Sequence, residues 1–159
     1  MQLAEQDLQQ ITIDVCQSML GLELTPIAFD SDSARHLVAS VEIRGDRHTV
    51  VEVFAEDDLM TAIAEVMFSA DCGSLSGEEI RDAFCEIANM IGGNIKGSLA
   101  EEADLSLPVI GEASDRLGDL PHGSLVTAFE CCGHPLKIVV REVPPGTNNE
   151  KPVLAVECQ

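Results

Sequence analysis

Ile80, Phe84, Ile87, Ile91 and Ile95 recur at intervals of three and four. That spacing draws an apolar stripe down one side of an α-helix and commits the segment to packing that side on a core. The opposite side is less ordinary. Asp82, Glu86, Asn89 and Gly93 recur at the same intervals, and such a row points one way from a helix. A carboxylate and a carboxamide three residues apart can therefore address one target together. Ser76-x-x-Glu79, just ahead, is a capping-box pattern that opens the helix.

A solvated surface is the usual reading of a polar helix face. Two details weigh against it. Asn89 is a mediocre mid-helix residue, and Gly92 and Gly93 follow one turn later; each glycine costs roughly 1 kcal/mol against alanine inside a helix. Glycines there suit the close approach of another backbone, unless Gly92 ends the helix as a C-cap. Asn94-Ile95-Lys96 continues the periodicity beyond it. The run Gly92-Gly93-Asn94-Ile95-Lys96-Gly97-Ser98 is not a phosphate-binding P-loop, because its lysine precedes the second glycine of that motif and it lies in or after a helix.

The chain has 159 residues, read as a single domain spanning 1–159 that can bury roughly 70% of its unfolded surface. Only five residues are aromatic, all Phe, so the core must be aliphatic. A formal charge of −19, from 28 acids against nine bases, disfavours nucleic acid, which is bound through cations. It equally disfavours an anionic membrane surface. No apolar run approaches a membrane span, and the first residues carry no basic signal region, which points to a cytoplasmic protein. Cys16, Cys72, Cys85, Cys131, Cys132 and Cys158 contain no C-x-x-C pair, so six free thiols and no metal are expected. Cys132-Gly133-His134 would supply two ligands at most. His36, His48, His122 and His134 are scattered and form no catalytic pattern.

Around the signature helix, the periodicity predicts a first helix over residues 3 to about 22 and a strand near Ile27-Ala28-Phe29. A β-hairpin over Leu37–Arg44 and Thr49–Phe54 and a second helix opened by Glu56-Asp57-Asp58 come next. Beyond Pro108, Leu125–Cys132 turns at Gly133-His134-Pro135 into Leu136–Arg141, and a last strand lies at Val153–Val156. Helix, strands, two helices and strands again give an α+β fold, an antiparallel sheet with long helices packed on it. A strand left at the edge of such a sheet invites a partner.

Asp82-x-x-x-Glu86-x-x-Asn89 followed by Met90-Ile91-Gly92-Gly93-Asn94-Ile95-Lys96 resembles the signature helix of the CheC/CheX/FliY family of chemotaxis phosphatases. Pro108 follows at slightly less than the family's spacing, and the single Glu-x-x-Asn copy resembles the one-site CheX-like branch. The resemblance implies a CheX/CheC-like fold and dephosphorylation of the aspartyl phosphate on a CheY-like response-regulator receiver domain. By the same resemblance Asn89 orients water, Glu86 anchors the receiver's lysine, and the only metal is Mg²⁺ in the receiver. Gly92 and Gly93 would admit the partner. Asp82 could support Glu86, touch the partner or only solubilise the helix. The relatives are dimers, so a homodimer is expected. A receiver-binding or scaffold module without turnover is the alternative from another class, and a structural part of a motor switch a third.

Overall fold

The computed structural model describes residues 3–32, 36–99, 102–113, 116–144 and 156–157. They form helices α1 (Glu5–Ile13), α2 (Asp57–Met67) and α3 (Gly77–Ser98). The strands are β1 (Leu24–Pro26), β2 (Leu37–Arg44), β3 (His48–Ala55), β4 (Asp104–Leu105), β5 (Val109–Glu112), β6 (Leu125–Cys131), β7 (His134–Val143) and β8 (Val156–Glu157). All pair antiparallel in one sheet of order β1-β6-β7-β3-β2-β5-β8, and β4 pairs with β2 beside β5. This is the α+β arrangement that the periodicity predicts.

Two elements differ from their expectation. The first helix does not run evenly to residue 22: from Asp14 to Met19 it widens into a π-helical turn, and Gly21, at φ 71°, then turns the chain out. The first strand is Leu24–Pro26, not Ile27–Phe29. Pro26 lacks an N–H and is tolerated because β1 is an edge strand. Ile27 still donates to the carbonyl of Ala128 at 3.0 Å, after which Phe29 leaves to pack on the far side of the sheet. Of the predicted last strand only Val156 falls among the described residues, in β8.

The β2–β3 hairpin pairs Val41 with Val51 and Ala39 with Val53, which fixes the faces. Because side chains alternate along a strand, Ala39, Val41, Ile43, Val51, Val53, Ile138 and Val140 face the helices and meet Phe84, Ile87, Ile91 and Ile95 of α3 in one core. Burying each such side chain contributes about 1.5–3 kcal/mol. α3 lies mainly on β2 and packs beside α2.

Among the described residues the other sheet face is covered by connecting segments and the short 3₁₀ turn Arg116–Gly118 rather than by an α-helix. Val38, Phe54 and Val139 pack there against Phe29, Ala113 and Leu117. Lys137 is buried on this face; its Nζ donates to Asp30 Oδ1 at 2.7 Å and to the carbonyls of Asp30 and Asp32. One ammonium thus fastens the segment after β1 to β7. Arg141 donates to buried Glu52 at 2.8 Å on the same face.

His36, just before β2, is buried, and among the described residues neither of its ring nitrogens has a hydrogen-bond partner. Burial, and then the Lys137 charge, hold it below the ordinary 6.5, while Glu56, Asp32 and Asp30 pull the other way. The Lys137 hydrogen bond chiefly holds Asp30 below its ordinary 3.8. Below 6.5 the unfolded chain takes up a proton that the folded chain resists, so stability should fall with pH through that window. The Asp30 contribution is full above 3.8 and is lost only as pH drops through its lowered folded value. Urea midpoints should therefore decline below neutrality, and His36→Leu should flatten the first part of that decline. An unchanged slope in the variant would contradict this assignment.

Candidate functional site

α3 begins as its sequence dictates. Ser76 Oγ accepts from the Glu79 N–H at 3.2 Å, and Glu79 Oε1 accepts from the Ser76 N–H at 3.1 Å. The helix then runs unbroken through Gly92 and Gly93 to Ser98, so Gly92 is not a C-cap. The long uninterrupted cylinder gives its outward side chains a fixed backbone.

Asp82 and Glu86 are exposed on this helix and Asn89 is half-buried, while Phe84, Ile87 and Ile91 are buried beneath them. The three polar side chains share one outward stripe, as their spacing predicts. Among the described residues nothing hydrogen-bonds any of the three, unlike Asn94, whose amide donates to the Met90 carbonyl at 2.8 Å. A carboxylate and a carboxamide one turn apart, rigidly mounted and without hydrogen-bond partners among the described residues, can bind an outside group.

The glycines do not act as a pair. Gly93 is half-buried, and a Cβ there would meet Leu105 Cδ2 at 4.0 Å, an ordinary contact. Gly92 is buried against the sheet, where a Cβ would lie 2.4 Å from Val41 Cγ2 and 3.3 Å from Leu105 Cδ1. The close approach that Gly92 permits is that of α3 to β2. Its expected place at a partner interface is therefore corrected. The periodicity already contains the reason: Gly92 is one residue from Ile91 and three from Ile95, on the apolar side.

The profile of the family described as chemotaxis phosphatase CheX matches residues 37–130, from β2 to the penultimate residue of β6 with α3 inside the match. The chain belongs to the CheX family. No curated protein matches it in sequence. Its fold resembles that of the CheX in a CheX–CheY–BeF₃–Mg²⁺ complex from Borrelia burgdorferi, with a TM-score of 0.70 at 14% identity, covering 86% of this chain and 96% of that one. CheX from Vibrio vulnificus matches with a TM-score of 0.67 at 18% identity over 89% and 99% of the two chains. A CheC-like protein from Shewanella oneidensis matches at 0.65 with 21% identity over 86% and 95%.

Within this CheX-family chain the cysteines differ from expectation at one position. Cys85, buried beside Glu86 on α3, is disulfide-bonded, while Cys16, Cys72, Cys131 and Cys132 are free. Spacing along a chain does not reveal which thiols fold together. Burial pushes the Cys16 thiol up to about 12, leaving it inert. No group of three His, Cys, Asp or Glu side chains gathers in metal-holding geometry among the described residues, and no described helix is long and apolar enough to cross a membrane.

Sequence reasoning overlooked the segment joining β4 to β5. Leu105 flanks α3 at Gly92 and Gly93, and Ser106 is bonded to Glu42 of β2 through both its N–H and its hydroxyl. Only Pro108 in this stretch carried a signal in the sequence.

Proposed function

We propose that this single CheX-like domain dephosphorylates a phosphorylated CheY-like receiver, using Glu86 and Asn89 of α3. The observation that carries the reading is the unpartnered Glu86/Asn89 pair on a rigid helix of a CheX-family chain. A structural relative is seen in complex with CheY, BeF₃ and Mg²⁺, which supports a receiver domain as the partner. An aspartyl phosphate is already activated, and the receiver's Mg²⁺ already neutralises charge. What remains is to place water in line with phosphorus.

Asn89 suits that task, since a neutral carboxamide both donates and accepts a hydrogen bond without adding charge. Glu86 would be repelled by the phosphate alone, so its role is to pair with the lysine of the receiver pocket and hold α3 in register. Asp82, one turn earlier on the stripe, lies where it can extend that contact. Gly93 leaves the same stripe low beside Asn89. The protein contributes no nucleophile and no covalent intermediate. We further infer a cytoplasmic homodimer joined through sheet edges, each subunit carrying its own site.

Decay of a phosphorylated receiver, followed with and without the protein, tests the reading directly. Acceleration is expected. A stable complex with unchanged decay would instead support a binding or scaffold module. Chelation separates this mechanism from metallophosphatase chemistry: the isolated protein should carry no stoichiometric metal, and EDTA should stop turnover only until Mg²⁺ is restored to the receiver. Activity that needed zinc bound by this chain would overturn the mechanism.

A further inference from the structure

Leu107 is 68% exposed, the most exposed large apolar side chain among the described residues. It stands in the segment between β4 and β5, and that segment is fixed. The Ser106 N–H donates to the Glu42 carbonyl at 2.8 Å, and the Glu42 N–H donates to Ser106 Oγ at 2.8 Å. Leu105 lies against α3 where Gly92 and Gly93 pass, with Gly93 on the same stripe as Glu86 and Asn89. Leu107 is two residues further, within about 7 Å of extended backbone. An exposed leucine is thus carried on a fixed segment whose Leu105 flanks α3 at Gly92 and Gly93, one turn beyond Asn89.

We propose that Leu107 is the apolar anchor on which the receiver domain seats beside α3, an inference that rests on the phosphatase reading above. Charge gives the reason to assign the contact to that partner. Glu78, Glu79, Asp82 and Glu86 crowd the first half of the helix against one Arg81, with Lys96 alone in its last turn, on a chain of net charge −19. The receiver's Mg²⁺-binding pocket is itself built of carboxylates. Beyond the Glu86–lysine pair, electrostatics therefore opposes the encounter. Docking needs a contact that does not depend on charge, and an apolar side chain at the rim supplies it. Because its backbone is already bonded to β2, Leu107 loses little freedom on binding.

The test compares wild type, Leu107→Asp and Leu107→Met on CheY-like receivers phosphorylated with acetyl phosphate, with binding measured on the same receivers loaded with BeF₃⁻ and Mg²⁺. Leu107→Asp should raise KM and Kd about tenfold or more while kcat, Tm and sedimentation stay unchanged. Leu107→Met should restore the wild-type values. An unchanged KM in Leu107→Asp overturns the inference while leaving the phosphatase reading intact. So does a lost kcat at constant KM. A change in self-association without a change in KM would assign Leu107 to contacts between copies of this chain, and also overturns it. If wild type accelerates decay of no receiver, the phosphatase reading fails and takes this inference with it.

Discussion

Asn89→Ala is expected to reduce turnover of a phosphorylated receiver by roughly a hundredfold or more while leaving binding nearly intact, the scale of a lost positioning group. The side chain is half-buried and makes no hydrogen bond within the described residues, so its removal should leave thermal stability close to wild type. Glu86→Ala should behave differently. It removes the anchor and the alignment that depends on it, so both KM and kcat should suffer. Glu86→Lys should be worse, since it sets lysine against lysine. Steady-state decay of the phosphorylated receiver, together with Kd for its BeF₃⁻ form, separates these outcomes. Loss of binding with unchanged turnover per complex in Asn89→Ala would contradict the water-orienting role.

Gly92→Ala and Gly93→Ala are expected to change stability in opposite directions, although the two residues are neighbours in one helix. Alanine normally gains about 1 kcal/mol over glycine inside a helix. At Gly93 the new methyl meets Leu105 Cδ2 at 4.0 Å, so that gain should be realised. At Gly92 the methyl falls 2.4 Å from Val41 Cγ2. A valine cannot swing away freely, and overpacking of this kind costs about 1–3 kcal/mol. A lower urea midpoint for Gly92→Ala and a higher one for Gly93→Ala are the expected pair. Val41→Ala should relieve the Gly92→Ala loss, so a double-mutant cycle should show coupling. Equal shifts for the two alanines would mean that α3 does not rest on β2 as described.

Cys85, which is disulfide-bonded, is buried on α3 next to the exposed Glu86. The expectation of six reduced thiols came from cellular compartment and spacing. Neither reports which sulfur atoms the fold brings together.

Much of the fold was legible because it follows from local periodicity. The stripe Phe84, Ile87, Ile91 and Ile95 required α3, Ser76 and Glu79 marked its start, and the alternation through Leu37–Arg44 and Thr49–Phe54 required a hairpin with one face in the core. The outward placement of Asp82, Glu86 and Asn89 came from the same arithmetic, since the helical repeat alone decides which side chains share a face. Periodicity erred where irregular backbone intervened, at the π-turn after Ile13 and at the edge strand ending in Pro26.

What the tertiary structure decided involves residues far apart in sequence. Gly92 looked like part of a binding surface until Val41 of β2 was found beneath it. Lys137 is buried because the strap at Asp30 and Asp32 covers it and satisfies its ammonium. Leu107 is an unremarked loop residue until Ser106 fixes it to β2 and Leu105 sets it beside α3. Sequence by itself determined which face each side chain takes on its own helix or strand, because that depends only on backbone repeat. Which element covers that face depends on contacts between segments tens of residues apart, and only the folded chain brings those together.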